Sequence, residues 1–157
     1  MLKTRKAFLV LFLFLTACTP PAPNVEGENW VAFSAEDAQA DQMLDWLFTD
    51  DVEYWSPTEA DIQSVEDGLP DYLRENQSSF YITGSSVWER LNEYNRQYVG
   101  LVLEGKKVIY ANYFCNATGL DWKKEFVMVL DGGACYFQLK FNTDSDEYFG
   151  LQVNGEA

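Results

Sequence analysis

The chain contains no histidine. That removes Ser-His-Asp and Cys-His catalysis, histidine-ligated zinc and the side chain that usually changes charge near neutral pH. Cations are scarce: eleven Lys and Arg stand against 25 Asp and Glu, a formal charge of −14. So negative a chain is a poor ligand for nucleic acid or for an anionic bilayer surface, and is compatible with a basic protein partner or a cation. Of the three cysteines, no two form a C-x-x-C pair, which excludes thioredoxin-type redox chemistry. No apolar run reaches the ~20 residues a membrane-spanning helix needs. The longest, Ala7 to Leu15, has nine. There is no internal repeat of solenoid length.

What is present begins at the amino end. Lys3, Arg5 and Lys6 precede the apolar run, and small residues follow it, the layout of a secretory signal. Leu15-Thr16-Ala17-Cys18 resembles the lipobox of bacterial lipoproteins: Leu, a small residue, Ala or Gly, then Cys. The resemblance covers the signal and its cleavage site only. It implies that Cys18 carries lipid on its sulfur and, after cleavage before it, on its new amino end. More than one acyl chain gives stable anchoring, at ~0.8 kcal/mol per buried methylene. Thr19-Pro20-Pro21-Ala22-Pro23 reads as a stiff, extended tether. Thr19 in place of Asp implies, by the same resemblance, the outer membrane of a diderm host, facing the periplasm. With a single membrane the protein faces outward.

The expected organisation is a signal peptide over residues 1–17, a Pro-rich tether over 18–29 and one domain over 30–157. The signal takes three of the eleven cations and no acid, so the mature chain has eight basic and 25 acidic residues, a formal charge of −17. About 140 residues suffice for one domain with a real core. With Cys18 committed to lipid, Cys115 and Cys135 remain as an even pair in an oxidising compartment, so a disulfide is expected.

Acids crowd the first half, which reads as helical. Ser34 to Asp37 suggests a capping box, and Met43, Leu44, Leu47 and Phe48 recur at helical spacing with Trp46 beside the stripe. Ser56-Pro57-Thr58-Glu59 predicts a helix capped by Ser56, with Pro57 in its first position. Ile62, Val65, Leu69, Tyr72 and Leu73 then share a face. Gly68 and Pro70 predict a break within it. Residues 76–86 read as a loop, and a brief helix is expected near 87–94.

From Arg96 the period changes to two. Strands are expected over residues 98–103, 107–115, 123–130, 134–142 and 148–154, with turns at Glu104-Gly105-Lys106 and Asp131-Gly132-Gly133. Alternation puts Cys135, Phe137, Leu139 and Phe141 on one face, with Phe149, Leu151 and Val153 matching it. Bridged Cα atoms lie about 4.4–6.8 Å apart. Cys115 ends one strand and Cys135 starts another, so 107–115 and 134–142 should be direct antiparallel neighbours, with 123–130 displaced to an edge. The fold class is α+β: N-terminal helices packed on a curled antiparallel sheet of four to five strands. Its element order is similar to a cystatin-like roll.

Asn142 to Asp146 begins like a calcium loop, but Glu147 replaces the required Gly and Val153 the required acid, so no metal site is read. Asp50, Asp51 and Glu53, or Asp67 with Asp71, offer carboxylates without a spacing that pairs them across a cleft. The acceptor patterns at Asn76 and Asn116 are chance matches in a bacterial lipoprotein. Tyr98, Tyr110, Tyr136 and Tyr148, with Asn112 and Gln138, form a candidate binding face if all point outward. No catalytic residue and no cofactor is assigned. The favoured reading is a lipid-anchored, non-enzymatic binding or accessory lipoprotein of the cell envelope. The alternatives are an acidic inhibitor of a basic secreted protein such as a lysozyme-like enzyme, and a carboxylate-based cell-wall hydrolase.

Overall fold

The computed structural model describes residues 22–48, 52–80 and 86–155. The lipobox, Cys18, Asp50 and Asp51 lie outside the described residues. A seven-stranded mixed sheet carries short helices on both faces. In chain order the elements are β1 (Val25–Glu26), β2 (Trp30–Ala32), α1 (Ala35–Ala40), α2 (Gln42–Leu47), β3 (Glu53–Trp55), α3 (Glu59–Asp67), α4 (Leu69–Glu75), β4 (Asn95–Leu103), β5 (Lys106–Phe114), β6 (Tyr136–Asn142) and β7 (Glu147–Val153). The strand order is β1-β2-β4-β5-β6-β7, with β3 also on β4.

The class is α+β, but the sheet is larger than the four to five strands expected and is not purely antiparallel. β2 runs parallel to β4, pairing Trp30 with Arg96 and Ala32 with Tyr98. A parallel pair needs a long crossover, and here all four helices lie in it. β3 takes the same edge of β4 further along, pairing Trp55 with Gly100. The one-helix-in-a-concave-sheet plan of the roll is not what forms.

Helix boundaries follow caps. α1 is capped by Ser34, whose Oγ accepts from Asp37 N at 3.1 Å. The single helix expected from there to Phe48 is divided at Asp41, which is extended (ψ 119°) and caps α2. The cap of α3 is Thr58, not Ser56. Thr58 Oγ1 accepts from Asp61 N, and Asp61 Oδ2 accepts from Thr58 N at 2.8 Å, a complete capping box. Ser56 Oγ instead accepts from Ala35 N at 2.9 Å, fastening the α1 start to the chain before α3. The expected break falls at Gly68, between α3 and α4. Over 87–94 two 3₁₀ turns, Val87–Glu89 and Leu91–Glu93, replace the brief helix.

β4 and β5 are covered on both faces, so both are buried almost throughout. On one face Tyr98, Ile109, Tyr113, Phe137, Leu139 and Phe141 pack under Ile62, Val65, Leu69 and Leu73 of α3 and α4. On the other, Val99, Leu101 and Tyr110 pack under Val31, Phe33, Ala38, Leu44 and Phe126. The β4–β5 turn has positive φ at Glu104 (51°) and Gly105 (76°), the two-residue form that matches strand twist.

Cys115 and Cys135 are bridged, with Cα atoms 5.1 Å apart. β5 and β6 are direct antiparallel neighbours, as the bridge requires. The cross-link closes 20 residues, worth about 3 kcal/mol in the chain-entropy account.

Residues 123–130 are not a strand. They form turns, bends and irregular chain and join no ladder of the sheet. The segment crosses the sheet as a strap, and side chains satisfy its backbone. Gln97 Nε2 donates to Trp122 O and Glu125 O, and Gln97 Oε1 accepts from Val127 N at 2.9 Å. Asn112 Nδ2 donates to Val127 O at 2.8 Å. Asn154 Nδ2 donates to Val129 O and to Asp131 O, at 2.5 and 3.0 Å.

Candidate binding groove

The six residues of the expected binding face divide between two faces. Tyr110, Asn112, Tyr136 and Gln138 share the strap side, since Tyr110 pairs with Lys140, Asn112 with Gln138 and Phe114 with Tyr136. Tyr98 pairs with Ala111 on the opposite side. It is fully buried there, and its hydroxyl donates to Glu66 Oε1 at 2.5 Å. Burial, reinforced by the Glu66 charge, pushes the Tyr98 pKa well up.

Tyr148 also faces inward. The β6–β7 register slips between Gln138 and Lys140, where Gly150 adopts φ 63°, and a slip of one residue inverts the facing of what lies beyond it. Tyr148 therefore stacks on Tyr72 at 4.8 Å and donates to Val65 O at 2.7 Å. Phe149, expected in the core, is 40% exposed. A continuous outward tyrosine strip does not exist. Asn112 is buried, donating to Gln97 Oε1 and Val127 O and accepting from Gln138 Nε2 at 3.2 Å. Asn112 and Gln138 stitch the strap to the sheet.

The strap side nonetheless carries a groove. One wall is α2. Asp41 Oδ1 accepts from Met43 N and Leu44 N at 2.8 and 3.0 Å, and its Oδ2 accepts from Phe126 N at 2.8 Å. One carboxylate thus fixes the start of α2 and sets the strap beside it. Leu44 anchors the helix inward, leaving Met43 and Trp46 outward, at 39% and 63% exposure. The facing wall is the strap, with Met128 and Leu130, the latter 82% exposed. Between the walls lies an apolar groove of about 470 Å³. It deepens toward Tyr110, Asn112 and Gln138 in a cleft of about 250 Å³. Past Gln42 and Met43 it opens into a cleft of about 660 Å³ lined by Asp37, Asp41 and Glu125, with Lys124 among them.

Burial raises the Tyr110 pKa, and the Phe48 ring packs edge-on against it at 5.2 Å, so Tyr110 is a neutral floor. The Tyr54 pKa is raised by burial and then by the charges of Asp45 and Asp41. Asp67 accepts from Gln63 at 2.5 Å, and Asp71 pairs with Arg74 at 2.6 Å on the open sides of their helices. Neither joins a second acid across a cleft. Among the described residues no group of His, Cys, Asp or Glu could hold a metal ion, and no helix is long and apolar enough to cross a membrane.

Trp46, Met43, Met128 and Leu130 were missed by the sequence reading. Trp46 did carry a signal: a large aromatic set off the apolar stripe of its own helix. Leu130 carried none, because it ends an apolar run that reads as a strand. No protein-family model, no curated protein and no solved structure matches the chain.

Proposed function

We propose that this is a lipoprotein of the bacterial cell envelope, held by lipid on Cys18, whose domain is a non-enzymatic binding module presenting the α2–strap groove. The lipobox and proline-rich tether support the anchoring. One observation carries the binding role: Trp46 at 63% and Leu130 at 82% exposure face each other across an apolar groove. Large apolar side chains left open together mark interaction sites, and Trp is enriched among residues that dominate binding energy. A hydrolase finds less support. Asp41, in the cleft past Met43, has its oxygens taken by three backbone N–H groups.

Two measurements test the reading. Cys18→Ser should move the protein from the membrane fraction to the soluble one; a variant that stays on membranes without lipid label refutes the anchoring. A photo-crosslinking amino acid in place of Leu130 should yield a discrete adduct in intact cells, and the same group in place of Glu104 should not. Equal adducts at both positions refute the groove.

A further inference from the structure

The occupant of the groove follows from its shape and its charge. Small-molecule sites are concave and bury most of their ligand. Here two of the apolar walls, Trp46 and Leu130, are themselves mostly exposed, so the groove cannot enclose a compact ligand. It suits apolar side chains projecting from another polypeptide, laid along α2. The charge selects among such polypeptides. The cleft continuing the groove has Asp37, Asp41 and Glu125 in its wall against Lys124, and the Lys124 ammonium is already on Asp121 at 2.8 Å. Asp45 on α2 and Asp131 are exposed and directly adjoin the wall residues Trp46 and Leu130 in the chain. The rest of the chain adds to the field, since acids outnumber cations 25 to 11. The same charge opposes docking of a second copy and of an anionic bilayer.

We propose that the α2–strap groove takes a cationic amphipathic segment of a partner polypeptide, its apolar side chains against Trp46, Met128 and Leu130 and its Lys or Arg residues toward Asp37, Asp45 and Glu125. The inference rests on the groove being the binding surface and adds the class of its partner. Apolar contact supplies the affinity, and the acidic rim supplies partner selection and a faster encounter.

The test uses the mature chain carrying Cys18→Ser, which retains all described residues. Three synthetic helical peptides share one leucine face and differ in the other, which is lysine, glutamine or glutamate. The readout is the Trp46 indole resonance, assigned by its loss in Trp46→Phe. The lysine peptide should shift it, and should bind at least tenfold more tightly than the glutamine peptide at low salt. Trp46→Ala with Leu130→Ser should weaken lysine-peptide binding at least tenfold. Asp37→Asn with Asp45→Asn and Glu125→Gln should bring lysine- and glutamine-peptide affinities together, with the folded spectrum of each variant unchanged. Equal affinity for lysine and glutamine peptides, or preference for glutamate, overturns the cationic partner and leaves the groove as a binding site. A Trp46 shift caused by anionic phosphatidylglycerol vesicles but by none of the peptides overturns it in favour of a lipid surface. Lysine-peptide binding that ignores the Trp46 and Leu130 substitutions overturns the placement. No shift with any probe removes the groove reading and the inference together.

Discussion

Glu66 does more structural work than its neighbours in the acidic half of the chain. Its Oε1 accepts from the Tyr98 and Tyr113 hydroxyls at 2.5 and 2.9 Å, and its Oε2 lies 3.4 Å from Arg96 Nε. That last contact is an ion pair without hydrogen-bond geometry, since Arg96 Nε has no hydrogen-bond partner. Arg96 Nη2 donates to Leu91 O at 2.8 Å. One carboxylate therefore joins α3 to β4, β5 and the turn at 91–93. Glu66→Ala would strand two buried hydroxyls and a nearly buried guanidinium, at a cost of about 3 kcal/mol, reduced from the fully buried case because a quarter of the Glu66 side chain remains exposed. Glu66→Gln keeps an acceptor and should cost about 1 kcal/mol. Urea unfolding curves of the two variants check the order, and equal midpoints for both would contradict it. The sequence held this residue in plain view. Ile62, Glu66, Leu69 and Leu73 are spaced by four, three and four, so Glu66 lies on the buried face of the helix pair.

At the level of elements, the strap is the part whose position rests on side chains rather than on a ladder. Gln97 is fully buried and satisfies Trp122 O, Glu125 O and Val127 N at once. Gln97→Leu should leave these groups and Asn112 underbonded, costing about 2–4 kcal/mol. The loss should be local first. Amide hydrogen exchange should quicken at Val127 while the β4–β5 ladder stays protected, and uniform exchange across both would refute the strap's separate fastening. The legibility of the elements follows the same division. The β4–β5 hairpin, the α3 break at Gly68 and the β5–β6 pairing were readable because each is written locally, in turn residues, periodicity or the reach of a disulfide. The parallel seat of β2 was not, because three residues carry no signal for a partner more than sixty positions away. The strap was not, because Phe126-Val127-Met128-Val129-Leu130 has strand composition, and tertiary side-chain partners decide against the ladder. The tyrosine face failed at two points: Tyr98 pairs with Ala111 and so lies on the buried face, and Tyr148 is turned by one glycine. Gly150 admits φ 63° at the register slip, which turns Tyr148 inward, and alternation counted through that point gives the wrong face. The groove was half legible: Tyr110, Asn112 and Gln138 lie in its floor, while its walls come from segments that only the fold brings together.

For the whole molecule, composition sets the response to pH. With no histidine and with Cys115 and Cys135 bridged, the described residues contain no group whose ordinary pKa falls between those of the carboxylates and those of the tyrosines and lysines. Stability should therefore be level from about pH 6 to pH 9. Above that range the tyrosines take over. Burial raises Tyr98, Tyr113 and Tyr110, with the Glu66 charge reinforcing the first two, and burial pushes Tyr148 up to about 12. A raised tyrosine pKa means that the folded state holds its proton where the unfolded chain, titrating near pH 10, has released it. The stabilisation is complete below about pH 10 and is lost as pH rises through the folded values, because the unfolded state then binds fewer protons than the native one. Urea midpoints should thus be constant across the neutral range and should fall steeply between pH 10 and 12, and the Tyr98, Tyr113 and Tyr110 hydroxyls should ionise with unfolding rather than before it. Tyr148→Phe, which removes the hydroxyl whose pKa burial raises and keeps a ring to stack on Tyr72, should make the alkaline fall shallower at its upper end. A midpoint that drifts between pH 6 and 9 would contradict the plateau, and ionisation of Tyr98, Tyr113 or Tyr148 while the fold persists would show that the inward placement of these hydroxyls is wrong, and with it the division of faces that leaves the groove open on the strap side.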